Sequence, residues 1–106
     1  MKTVFLDPVQ QELRDYRRYV INKFGKMAWK ATRDGLADTI AEIEASPRRG
    51  ATPPELVDFR MTGYYEVASG TNRVIYKVDG ETIYVHLVVD QRSDLEDMLA
   101  RRLFRM

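Results

Sequence analysis

His86 is the one histidine in the chain, and it stands between Arg73, thirteen residues before it, and Arg92, six after it. An imidazole that is half-neutral near physiological pH is a natural general base. Guanidinium groups grip carboxylate and phosphate alike and offset charge that develops on a reacting oxygen. Further arginines fall in local clusters, Arg14/Arg17/Arg18, Arg48/Arg49 and Arg101/Arg102/Arg105. Such clusters serve either as solvated helix faces or as sites for an anion or a partner. The same residues have bland readings. A lone sheet histidine can simply be half-buried, Arg73 and Arg92 can pair with nearby carboxylates such as Asp90, Asp94 and Glu96, and Arg101, Arg102 and Arg105 suit the dipole of a helix C-terminus.

Other chemistries are excluded by what is missing. The absence of cysteine removes disulfides, thiolate catalysis and Cys-based zinc sites, and it fits a reducing compartment. One histidine with scattered carboxylates lacks the count and spacing of a metal ligand set, so no metal and no cofactor is expected. There is no Gly-rich phosphate loop and no nucleophile–base motif. A net charge of +1 lacks the basic excess of a dedicated nucleic-acid binder. The opening Met1-Lys2-Thr3-Val4-Phe5-Leu6-Asp7-Pro8 has too short an apolar run for a signal peptide. No segment approaches the ~20 apolar residues of a membrane span. The expectation is one domain over residues 1–106, cytoplasmic, with no membrane contact.

These side chains need a scaffold. Val4-Phe5-Leu6 reads as a short first strand. Asp7, Pro8 and Gln10 predict a capped helix start with a capping box. Val9, Leu13, Tyr16, Val20 and Phe24 then give an apolar stripe at helical spacing, and Gly25 is the expected left-handed stop. A second helix runs from near Lys26 to about Ala45 with Trp29, Leu36, Ile40 and Ile43 as its stripe. The short break makes the pair an antiparallel hairpin. Gly35 inside it suggests close packing against the first helix. Residues 46–54 form a Pro- and Gly-rich loop. Three alternating runs follow, roughly Tyr64 to Ala68, Arg73 to Val78 and Thr82 to Val89, with turns at Ser69-Gly70-Thr71-Asn72 and Asp79-Gly80. In the last run Ile83, Val85, Leu87 and Val89 form one core face, opposite His86 and Tyr84. Ser93 and Glu96 cap a final helix with Leu95, Met98, Leu99 and Leu103 inward. The fold class is α+β: a short strand, a helical hairpin, a three-stranded antiparallel meander and a C-terminal helix.

With that order in place, four segments resemble the RelE/ParE toxin superfamily of type II toxin–antitoxin systems, its ParE-like branch above all. They are Val4-Phe5-Leu6-Asp7-Pro8, the loop Ser46-Pro47-Arg48-Arg49-Gly50, the strand Arg73-Val74-Ile75-Tyr76-Lys77-Val78-Asp79-Gly80, and Val88-Val89-Asp90-Gln91-Arg92-Ser93-Asp94 with Leu99 and Arg101-Arg102-Leu103 behind it. The resemblance covers nearly the whole chain.

It implies one of two activities. RelE-like members cut ribosome-bound mRNA through its own 2′-OH, which needs a base, a proton donor and cations. ParE-like members poison DNA gyrase by binding. Arg73 and Arg92 occupy the two arginine positions of the nuclease, and His86 completes a conceivable catalytic set. Tyr64 and Glu66 stand where the nuclease carries lysine, however, and Met98 lies near its helical tyrosine. The resemblance therefore implies a growth-inhibiting gyrase toxin of the plasmid-stabilising kind rather than an enzyme, contacting its target through Arg73, Arg92, Arg101, Arg102 and Arg105. DNA would be met only through gyrase or the antitoxin complex. The implied partner is an antitoxin whose disordered tail folds onto the hairpin, with Leu13, Arg17, Val20 and Phe24 as candidates and an exposed tyrosine or Trp29 as anchor. An mRNA endonuclease and a non-toxic antitoxin-binding co-repressor are the alternatives.

Overall fold

The computed structural model describes residues 1–58, 60, 62–92 and 95–103. Strand β1 (Lys2–Phe5) leads into helix α1 (Asp7–Phe24) and helix α2 (Lys26–Ala45), and a short helix α3 (Pro54–Asp58) follows. Strands β2 (Tyr64–Ser69), β3 (Asn72–Asp79) and β4 (Thr82–Asp90) form the meander, and helix α4 (Leu95–Leu103) closes the described chain. The α+β architecture is thus the one the residue pattern dictates. No described helix is long and apolar enough to cross a membrane.

The sheet holds four strands in the order β1-β4-β3-β2. β1 lies parallel to β4, with Lys2 opposite Thr82 and Phe5 opposite Val85. Both meander turns are two-residue loops led by a glycine of positive φ, Gly70 (+59°) and Gly80 (+60°). A first loop residue of positive φ matches the twist of the strands it joins.

The hairpin forms as its apolar spacing requires, with three departures. The capping box is not made: Leu6 occupies the cap position without a side-chain bond, and Gln10 Nε2 donates to the Phe5 carbonyl instead. Gly25 has φ +95° but ψ 169°, an extended rather than left-handed pair that is essentially reserved for glycine. Its N–H closes α1 on the Ile21 carbonyl, and its own carbonyl receives the Trp29 N–H of α2. Gly35 does not mark close packing, since a Cβ there would meet nothing within 4 Å.

Each face of the sheet carries its own core. On one face the hairpin supplies Val9, Ile43 and flanking Leu13, Leu36 and Ile40 against Val74, Tyr76, Ile83 and Val85. On the other, Leu56 of α3 packs with Tyr64, Ile75, Leu87 and Val89, and Met98 of α4 joins them. The four residues expected on one face of β4 are therefore divided between two. The cause is a bulge: Ile75 pairs with Leu87 but Tyr76 pairs with Val85, so His86 has no partner on β3. One extra residue inverts a period-two alternation, and Leu87 and Val89 move to the face of Tyr64.

Gly50 shows why the loop after α2 tolerates no side chain there. A Cβ would stand 2.8 Å from the Tyr76 hydroxyl and 3.0 Å from the Glu66 carbonyl. The loop is pinned beside it, by the Tyr76 hydroxyl donating to the Pro47 carbonyl at 2.8 Å and by the bridge between Ala51 and Glu66.

Candidate functional site

Arg73 sits on β3 opposite Ala68, which puts Glu66 on the diagonal of the same face. Its Nε donates to Glu66 at 2.6 Å, while Nη1 and Nη2 donate to the two oxygens of Glu55 at 2.9 and 3.0 Å. The side chain is 16 % exposed. The paired hydrogen bonds from Arg73 hold the Glu55 carboxyl below the usual range, and the two carboxylates, Glu55 foremost, raise the guanidinium above its own. One cation held by two anions is a fork-to-fork clamp that ties α3 to the sheet. Glu55 was not legible as its partner, although Pro54-Glu55, with proline and an acid in a first turn, is a helix start.

His86 lies elsewhere. Arg73 pairs with Val89, three residues along β4, roughly 10 Å of strand away. The imidazole packs edge-on against Tyr64, with ring centroids 5.1 Å apart. Lys77, paired with Tyr84 across the ladder, places its Nζ 4.6 Å over the Tyr64 ring. Burial first, and the Lys77 charge second, lower the His86 pKa below its ordinary 6.5. Burial also raises the Tyr64 phenol. His86, Tyr64 and Lys77 thus come together, and Arg73 and Arg92 stand apart from them.

β1 ends opposite Val85, so from His86 onward β4 has no strand on that side. Arg102 of α4 fills the gap, donating from Nη1 to the His86 carbonyl at 2.8 Å and pairing with Glu12 of α1. It is an anchor for the closing helix. Arg101 faces outward, paired with Asp97 one turn back at 2.7 Å. Together with Pro8, Glu12 and Met98 these two arginines line a groove of about 480 Å³ between α1 and α4. Arg92 is the most open of the set, 89 % exposed, and among the described residues is held by Asp90, whose carboxylate also accepts the Arg92 backbone N–H at 2.8 Å. Arg105 and the Ser93 cap lie outside the described residues.

The hairpin candidates divide as well. Val20 is buried and has no surface to offer, while Leu13 is half-buried against the hairpin-side core. They point inward because the stripe that looked available is the one spent on the sheet. Arg17 is exposed, and Phe24 is 63 % exposed at the end of α1. Beside Phe24 stand Tyr19 (51 %) and Met27 (80 %), the two aromatic rings meeting edge-on with Lys23 over both. Tyr16 and Trp29, also in edge contact, are half-buried between the helices. Among the described residues no three potential ligands gather into a metal site.

Comparison with known proteins adds the following. The profile of the ParE toxin of type II toxin–antitoxin systems, parDE, matches residues 4–95. The fold is similar to a chain solved in a chromosomal ParDE toxin–antitoxin system from P. aeruginosa, with a TM-score of 0.68 and 11 % identity, covering 85 % of this chain and 95 % of that one. No curated protein sequence matches.

Proposed function

The chain belongs to the ParE toxin family of type II toxin–antitoxin systems, and on that premise we propose that it inhibits DNA gyrase by binding and is neutralised by a cognate antitoxin. The observation that carries the choice of a binding mechanism is the clamp on Arg73. A ribonuclease of this superfamily needs that cation free for the phosphate, and here two carboxylates satisfy it. His86 lies apart from it, and Met98 is packed in a core where a proton donor would stand. General acid–base catalysis works only within hydrogen-bond reach, and these groups do not converge.

Target contact falls to Arg92 and Arg101, which are open to solvent, with Arg102 holding α4 in place and Arg73 holding α3. Exposed guanidinium groups suit carboxylates of a protein partner and phosphates of the DNA it carries. The antitoxin segment anchors on the hairpin tip, where the exposed rings of Phe24 and Tyr19 meet edge-on and Met27, also exposed, follows across the turn, surfaces of the kind a folding tail covers. A gyrase supercoiling assay with the purified chain tests the reading. Supercoiling should fall with added toxin and recover with antitoxin, and Arg92→Ala should weaken the inhibition. Undisturbed gyrase together with cleavage of ribosome-bound mRNA would overturn it.

A further inference from the structure

Charge in this chain is balanced overall and lopsided in space. Seven of the seventeen lysines and arginines, and one of the sixteen acids, lie between Arg14 and Arg33. That stretch carries +6 in a chain of net +1, so the remainder carries −5. It folds as the far half of α1, the turn at Gly25 and the near half of α2, one end of the hairpin.

Within it, Arg14, Arg17 and Arg18 share one exposed face of α1, spaced three and four residues apart, and line a shallow groove of about 260 Å³ with Ile21 and Asn22. Among the described residues none of the three pairs with a carboxylate. Arg14 donates to the Gln11 amide, and Asp15, the one acid of the stretch, accepts from Gln11 on its other side. Three adjacent guanidinium groups with no ion pair among the described residues repel one another, with Asp15 as the one acid nearby on the helix.

We propose that the outer face of α1, through Arg14, Arg17 and Arg18, binds the phosphate backbone of duplex DNA without reading its sequence. Two observations favour phosphates over an acidic protein. Protein hot spots centre on an aromatic or apolar anchor in a pocket, and the groove itself has Ile21 as its one apolar lining residue, Phe24 lying beyond it along the same face and Tyr19 on another. Backbone contact by contrast needs only cations at reach, and it releases counterions. The −5 remainder of the molecule turns this end toward a polyanion. The choice of DNA over RNA rests on the gyrase reading, since DNA is what that target holds.

Fluorescence anisotropy of a labelled 30-base-pair duplex, titrated with the chain and no gyrase present, is the test. Three phosphate contacts predict a log–log salt slope near −2.7, so affinity should fall about twentyfold between 50 and 150 mM salt. Arg17→Gln with Arg18→Gln should lower the slope by about two, while Arg48→Gln with Arg49→Gln, the same charge change in the loop after α2, should leave it. Both variants keep the fold by circular dichroism. Absence of salt-dependent binding, equal loss in the two double variants, or tighter binding of an acidic peptide or duplex RNA than of DNA would each overturn the proposal. The supercoiling assay reads the gyrase proposal separately, so that one can fail while the other stands.

Discussion

Arg73 on the sheet and Arg17 on the hairpin carry the same group in opposite circumstances. Arg73 is 16 % exposed and bound by Glu55 and Glu66, whereas Arg17 is exposed and pairs with no described carboxylate. The pattern extends to their neighbourhoods. Arg102 likewise has an acid, Arg92 and Arg101 have one each yet stay open to solvent, and Arg14 and Arg18 have none among the described residues. A paired cation near the interior holds elements together, because stripping it leaves charges stranded in low dielectric. An unpaired cation in water contributes little to stability and is available to a partner. Arg73 serves structure and Arg17 is left for encounter, although both lie in stretches that look equally basic.

The sharpest way to break this contrast is Arg73→Ala, which leaves Glu55 and Glu66 facing each other without a cation. Stability should fall by about 3 kcal/mol in urea unfolding, and Arg73→Lys should restore only part of it, because an ammonium cannot form the fork. An unfolding midpoint unchanged by either would show the clamp to be ornamental. Arg102→Ala should cost about 1–2 kcal/mol through the lost Glu12 pair and the orphaned His86 carbonyl, with amide exchange in α4 speeding more than in α2. On the hairpin side Gly35→Ala should stabilise by about 0.5–1 kcal/mol, since the added methyl meets nothing and the helix gains; a loss in thermal unfolding would mean that α2 needs that glycine.

His86 offers a slope rather than a step. Its folded pKa lies below 6.5, so the unfolded chain takes up the proton first as pH falls. The stabilisation is complete above about pH 6.5 and is lost below it, and His86→Gln should flatten the melting temperature there. Glu55, shifted down, adds a separate loss only below about pH 4.5. The smallest effect belongs to Arg17→Gln with Arg18→Gln, within about 0.5 kcal/mol of the parent by urea unfolding.

Elements with local causes were legible in the residues. The stripe from Val9 to Val20, Gly25 between the helices and Gly80 between β3 and β4 all act within a few positions of themselves. Phe24, the last residue of α1, departs from the stripe and stands 63 % exposed at the turn. Features set by distant partners were not legible. Nothing near Glu55 announces Arg73, eighteen residues on, and nothing in β1 names β4 as its neighbour. The bulge at His86 left one trace, the unbroken Leu87-Val88-Val89, since a strand that changes faces needs apolar residues in succession. Of the site, the arginine positions were readable. Their occupancy was not, because whether a guanidinium is free depends on register and on what folds over it.

The parallel pairing of β1 with β4 also bears on when this protein can become itself. Lys2 waits for Thr82, so a nascent chain carries its first strand without a template until the fourth has been made. Contacts this distant in sequence fold slowly, because a long loop must close before they stabilise anything. The hairpin can form early from local contacts, but the sheet edge that binds Arg102 exists only once β4 is in place. A member of a toxin family built this way emerges from synthesis with Arg102 still unanchored. Its partner therefore meets the basic hairpin before it meets a finished toxin.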